Sequence, residues 1–312
     1  MPKLNVQQNN QNVIQAFKNA LAIGRLKGII ASDGNHNFST AGSNRNLLDN
    51  PWFIVRQRGD GPFSANTPAV DRWRTTSNAT ITATANGITL TTTVRTWGMV
   101  QRVAKGLFTV GKTYTISAME QDGTITSASF EWTGSAISRY VSGANVGFEI
   151  SVSSSAYEQI YITTNYTGDV YLKAVKLELG SVSTLANDAP PKEDKATADC
   201  KWYFQRIQQE DGYTAPVGFG IVAASTNILR TLIPLSSPLR KAGTLTATVT
   251  NIGQMRVQGN GSNLTPTAIT GRGVLNGHAV VDITVNGTLV NNQFYTLVFA
   301  NSTAIIELSK DL

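Results

Sequence analysis

Between Val6 and Lys27 the apolar residues Val13, Ile14, Phe17, Ala20 and Leu21 recur at spacings of three and four, with Gln, Asn and Lys between them. That is the period of an α-helix with one dry side. A helix of this length is marginal alone in water, so the stripe has to dock. It packs either on the rest of its own chain or on copies of itself in a short bundle. The bundle is the preferred expectation, with Val13, Ile14, Phe17 and Leu21 as its oligomerisation contacts. Gly24 and Gly28 weaken the helix, and the Gly, Asn and Ser-rich run from Asp33 to Asn46 reads as a linker.

From Leu47 to Ser183 the period changes to two. Thr80–Thr84, Gly87–Thr91, Tyr114–Ala118, Val146–Val152 and Ile160–Thr163 alternate apolar with small or polar residues. The longer run Val170–Leu179 places Lys and Glu on what reads as a wet face. Asn86-Gly87 and Asp122-Gly123 are hairpin turn signals. Short strands with no helices between them predict a β-sandwich and not a parallel sheet. Residues 187–199, with Pro190-Pro191 and a cluster of charges, read as the junction between two domains. Cys200–Gln209 fits a strand or a short helix. Ile228–Ile233, Thr244–Asn251, Met255–Gln258, Val280–Val285, Tyr295–Ala300 and Ala304–Leu308 are strand-like and broken by Gly and Asn. The expected fold is therefore all-β: an N-terminal helix and linker over 1–46, a sandwich over 47–186, a linker over 187–199 and a second sandwich over 200–312.

Composition sharpens this picture. Only 15% of residues are charged, well under the usual quarter or so, and Thr, Ser, Asn and Gly supply the polarity. Cys200 is the single cysteine of the chain, so no intrachain disulfide and no thiolate metal cage can form. No cofactor is expected. No apolar stretch reaches membrane-spanning length, and no secretory leader is read at the start of the sequence. The expectation is a product made in a cytosol, without membrane insertion. The net charge of +6 is uneven, with 12 Lys+Arg against 4 Asp+Glu over residues 1–110 and 14 against 16 over the rest. Arg56, Arg58, Arg72, Arg74, Arg95 and Arg102 are scattered through strand-like sequence and not gathered with Trp52, Trp73 and Trp97 on one face. This argues against nucleic acid and for arginines that bind carbonyls, carboxylates or a neighbouring subunit.

Several patterns imitate catalytic chemistry. Gly106–Thr113 satisfies the phosphate-loop formula GxxxxGK[ST], but the loop must lead into a helix, and Tyr114–Ala118 reads as a strand. Val110-Gly111-Lys112 is better read as a hairpin turn. His36 and His278 are far apart in sequence and have no triad-like neighbours. Glu131, Asp169 and Asp71 are the acids available for a two-carboxylate hydrolysis, with structural use of each the simpler reading. Asn78-Ala79-Thr80 and Asn165-Tyr166-Thr167 are sequons that a Thr- and Asn-rich chain produces by chance.

Asn46–Phe53, then Arg56–Gly59, then Asp71-Arg72-Trp73 resemble, in that order, the opening of a carbohydrate-binding-module-like jelly roll in bacteriophage tail-fibre and minor structural proteins. Ala174–Gly180 is similar to the strand that closes it, and Cys200–Arg206 to the start of the C-terminal unit. The resemblance implies a non-enzymatic virion protein, assembled in the host cytoplasm: a homotrimeric tail fibre or receptor-binding protein. Its N-terminal segment would meet other virion proteins and its sandwiches a host cell-surface glycan. Trimerisation makes weak sugar sites useful together. A capsid-decorating (head-fibre) or baseplate-adaptor protein is the alternative, and a polysaccharide depolymerase a third reading. Within the signature, Asp71 and Arg72 are expected to fix the sandwich edge and Trp73 to fill the core. Trp97, Trp132, Tyr140 and Tyr166 lie in or beside polar, loop-like stretches and are the candidate sugar platforms.

Overall fold

The computed structural model describes residues 30–32, 38–40, 43–95, 97–152, 157–165, 167–209, 215–222, 225–240 and 244–310. The expected helix, with Val13, Ile14, Phe17 and Leu21, lies outside the described residues. Just before the stretch read as a linker, β1 (Ile30–Ser32) pairs antiparallel with β2 (Phe38–Thr40) inside it.

The protein is all-β. The first sandwich faces a five-stranded sheet against a six-stranded one. The five-stranded sheet runs β10 (Ile137–Tyr140), β11 (Val146–Ser151), β12 (Tyr157–Thr164), β7 (Trp97–Ala104), β4 (Arg74–Thr75). The six-stranded sheet runs β3 (Phe63–Ser64), β5 (Ala79–Thr84), β6 (Gly87–Thr92), β13 (Gly168–Leu179), β8 (Thr113–Glu120), β9 (Ile125–Glu131). Period-two alternation drives Met99, Phe148, Ile150, Ile160 and Ile162 from one side, and Ile81, Leu90, Ile116 and Leu172 from the other, into one core. Trp73 is fully buried there, tilted against Phe53 at 5.7 Å, and its indole N–H donates to Asn50 O at 3.2 Å.

One expectation on β13 is corrected. A register shift between Leu172 and Ala174 lets Val175 and Leu177 join Val170 and Leu172 in the core. Lys176 and Glu178 then point to the opposite face, which is not wet: both side chains are 0% exposed. Residues 46–51 run beside β13, with Leu47 N donating to Leu177 O and Val175 N to Pro51 O. The 183–188 turn closes over the charges. Lys176 Nζ donates to Thr184 Oγ1 at 2.7 Å and to Asp188 Oδ1 at 2.9 Å, and Glu178 Oε1 accepts Thr184 N at 2.7 Å.

The second unit faces a three-stranded sheet against a seven-stranded one. The first runs β14 (Phe204–Gln208), β23 (Ile305–Ser309), β17 (Thr246–Thr250). The second runs β19 (Ser262–Leu264), β18 (Met255–Gly259), β22 (Phe294–Phe299), β15 (Ala215–Val222), β16 (Ile228–Pro234), β21 (His278–Val285), β20 (Pro266–Leu275). Leu229, Val257, Ile283, Leu297 and Ile306 fill its core.

α1 (Glu193–Lys201) begins inside the stretch expected as a linker and runs on into Cys200 and Lys201, with Glu193 and Asp194 at its N-terminus and Lys201 at its C-terminus, the favourable order for the helix dipole. Ala196 and Cys200 of α1 pack on Val55 of the first sandwich, and Ile54 lies against them. The Cys200 thiol is pushed far up, first by burial and then by the nearby Asp71 and Asp49 carboxylates, so it stays protonated and inert.

Candidate functional site

The outer face of the five-stranded sheet carries the chemistry. Along β12, Ile160 and Ile162 point inward, so Tyr157, Gln159, Tyr161 and Thr163 point outward. On β7 the pairs Ile162–Met99 and Thr163–Trp97 leave Gly98 as an extra residue. This bulge turns Trp97 from the core side to the outer face beside Thr163. Gly98 suits the position, since a Cβ there would come within 2.6 Å of Leu90 Cδ2. The Trp97 ring stacks on Tyr161 at 5.0 Å and 30°, and its indole N–H donates to Glu149 Oε2 at 2.7 Å. Burial, reinforced by the Glu149 carboxylate, raises the Tyr161 phenol above its ordinary pKa, so it stays a neutral hydroxyl.

On the edge strand β10, Tyr140 lies opposite Gly147 of β11. A Cβ on Gly147 would sit 2.8 Å from both Tyr140 Cδ1 and Thr163 Oγ1. Glycine there allows the Tyr140 ring to approach Thr163, while the Arg95 guanidinium lies 5.7 Å from the ring. Arg95, Trp97, Tyr140, Thr163 and Thr164 line a cleft of about 320 Å³. A second cleft of about 560 Å³ shares Arg95 and Tyr140 and runs on to Asn145 and Asn165. Trp97 and Tyr140 are 45% and 55% exposed, so both keep ring surface for a ligand. Thr163 Oγ1 and Asn165 Oδ1 are buried there without a partner among the described residues. Buried polar atoms of that kind are rare.

Of the sequence-predicted platforms, the structure therefore brings Trp97 and Tyr140 together. Trp132 is corrected: it is 3% exposed and stacked on Phe108 at 4.7 Å inside the core, so neither ring face is open. Tyr166 lies outside the described residues. Sequence reasoning missed Arg95, Glu149, Tyr161, Thr163, Asn145 and Asn165. The outward register of Tyr161 and Thr163 was available from the alternation around Ile160 and Ile162, whereas Gly147 beneath Tyr140 was not.

Asp71 and Arg72 sit at the joint between the two units. Asp71 accepts Gln57 N at 2.7 Å and pairs with Arg58 at 3.1 Å. Arg72 pairs with Asp49 at 3.0 Å and donates to Arg102 O at 2.8 Å. The Arg58 and Arg72 guanidiniums each lie 3.5 Å from the ring centroids of Phe204 and Tyr203 respectively, and Arg206 donates to Gln57 O at 3.1 Å. The three motifs around Asp49, Arg58–Asp71 and Tyr203–Arg206 thus meet in space.

The phosphate-loop imitation is a strand connection. Thr109 N donates to Tyr114 Oη, Gly111 N donates to Trp132 O, and β8 follows directly with no helix. His278 Nδ1 lies 3.0 Å from Asn276 O, and His36 lies outside the described residues. Glu131 is opposite Thr113 at one end of its sheet, and Asp169 is opposite Thr91 at the other. Eleven residues of β13 separate those ends, roughly 36 Å, while paired glycosidase acids lie within about 10 Å. Among the described residues no group of three His, Cys, Asp or Glu gathers as a metal cage, and no helix is long and apolar enough to cross a membrane. No family model, curated protein or solved structure matches this chain.

Proposed function

We propose that this chain is a non-enzymatic bacteriophage virion protein, a trimeric tail fibre or receptor-binding protein whose first sandwich holds host-surface polysaccharide at the Trp97–Tyr140 cleft. One observation carries the reading: two exposed aromatic rings, Trp97 and Tyr140, line one cleft together with Arg95 and Thr163. A pyranose offers apolar faces for such rings and hydroxyl oxygens that accept from a guanidinium such as that of Arg95. Several weak sites on one trimer would act together.

The test is an array of bacterial surface polysaccharides probed with the full chain and with Trp97→Ala. The wild type binds a subset of glycans, and the variant loses at least about tenfold in affinity. A silent array with the wild type sinks the glycan reading, and a monomer by light scattering at micromolar concentration sinks the trimer.

A second reading, a capsid-decorating or baseplate-adaptor protein, is favoured by one face of the second unit. Phe219 and Ile221 on β15, Leu232 on β16 and Phe294 on β22 are 40–77% exposed and lie on neighbouring strands. An apolar patch of this kind fits contact with protein. Tight binding to purified virions together with a silent glycan array would favour this alternative.

A further inference from the structure

The two clefts on the outer face of the first sandwich meet at one pair of side chains. Arg95 and Tyr140 line both, and Arg95 stands on the connection between β6 and β7. The smaller cleft, of about 320 Å³, runs from this pair to Trp97, and the larger, of about 560 Å³, runs from it over the 141–145 turn. Both volumes fall in the range of about 300–1,000 Å³ usual for ligand sites. The pair therefore stands at the middle of a trough with two arms.

The wall of the larger arm is braced by its own hydrogen bonds. Asn165 Nδ2 donates to Ala144 O at 2.7 Å and to Val146 O at 3.2 Å, Asn165 N donates to Asn145 O at 2.9 Å, and Asn145 Nδ2 donates to Glu120 Oε2 at 2.7 Å. A wall fixed in this way loses little further freedom when a ligand binds. Among the described lining residues of both arms, Arg95 is the one charged side chain. Its contact is with the Tyr140 ring, 5.7 Å from the centroid, and it forms no ion pair among the described residues. Attraction to a ring face consumes none of the five guanidinium N–H donors. The carboxylates held by surrounding residues, Glu149 on the Trp97 indole, Glu120 on the Asn145 amide and Asp169 on the Thr91 hydroxyl, line neither arm.

We infer that the trough selects an acidic glycan, seating the carboxylate of a uronate-type sugar on Arg95 where the two arms join. The inference rests on the glycan reading above and narrows it from surface polysaccharide in general to one that carries carboxylates. A planar carboxylate matches the guanidinium fork with two parallel hydrogen bonds, which a neutral ester cannot supply. One sugar ring packs on Trp97 in the smaller arm, and its neighbour in the chain lies along the braced turn in the larger. Arg95 is exposed, so water and salt moderate the attraction and the selectivity is worth a few-fold in affinity, not orders of magnitude.

The full chain is titrated calorimetrically with galacturonate and glucuronate, as monomers and short oligomers, and with their neutral methyl esters. The expected result is a preference of about fivefold for acid over ester, shrinking as salt rises from about 0.01 to 0.15 M. Affinity climbs from monomer to short oligomer as the second arm fills, then levels. Arg95→Gln and Ser142→Glu each erase the acid preference and leave ester binding in place. Both positions are exposed, so these variants test charge without disturbing the core. Arg95→Lys, which keeps the charge and loses the fork, restores part of the preference. Trp97→Ala weakens acid and ester alike. If Trp97→Ala changes nothing while Arg95→Gln abolishes the acid preference, the aromatic platform fails and the anion seat stands. Equal binding of acid and ester overturns the inference and leaves the glycan reading intact. A preference that survives Arg95→Gln overturns it too, as does the absence of binding to every acid probe.

Discussion

The two sheets of the first sandwich turn polar residues outward on the same period, yet their outer faces have opposite fates. On the five-stranded sheet Thr163 and Arg102 line open clefts. On the six-stranded sheet Lys176 and Glu178 are sealed under residues 43–51 and 183–188. Pairing and alternation are alike in the two sheets, and the difference is a covering segment. Strand periodicity states which way a side chain points, not whether water meets it there.

Removing the sealed cation should break that contrast most severely. Lys176→Ala leaves Glu178 and Asp188 without their ammonium partner in a dry site, and a loss of about 3–5 kcal/mol in urea unfolding is expected. A loss below about 1 kcal/mol would mean that water reaches this face. Trp132→Ala should cost about 3–5 kcal/mol by opening a cavity beside Phe108, with glycan binding by the surviving folded protein unchanged.

Next in size is the pairing of Asp282 with Arg230 and Arg272 in the second unit. Asp282 is held below the ordinary carboxylate value of 3.8, chiefly by the Arg230 hydrogen bond, with Arg272 assisting and burial opposing. A depressed folded-state pKa adds stability that is present above the unfolded value and disappears as pH falls through the folded one. Asp282→Asn should therefore cost about 1–2 kcal/mol at pH 7 and flatten the acid limb of the stability curve below about pH 4. An unchanged acid limb would remove this pairing from the account. The smallest effect on stability belongs to Trp97→Ala, under about 1 kcal/mol because its ring is half-exposed, although binding should fall with it.

Much of the fold was legible. Alternation located β5, β6, β8, β11, β12 and β13 in the first unit, and β16, β17, β18, β21, β22 and β23 in the second. Strand β7 escaped because Gly98–Gln101 are buried on both faces, which removes the alternation. Strand β20 escaped because Pro266, Gly271 and Gly273 interrupt it. The helix at Glu193–Lys201 was hidden by its charge, and only its contact with Val55 and Ile54 distinguishes it from a linker. For the site, Trp97 and Trp132 read alike, each beside polar residues. A one-residue bulge turns the first outward, while stacking on Phe108 keeps the second inside.

The sequence by itself determined that the chain past Leu47 forms antiparallel sheets, because β-branched and aromatic residues at period two bury one side of a strand wherever a partner layer exists. Only the tertiary structure decided which outer face is open, which aromatics share a cleft and that the Asp71-Arg72 signature meets Tyr203 and Phe204 at a joint. Those outcomes depend on segments far apart along the chain arriving at the same place, and local pattern carries no information about distance in space.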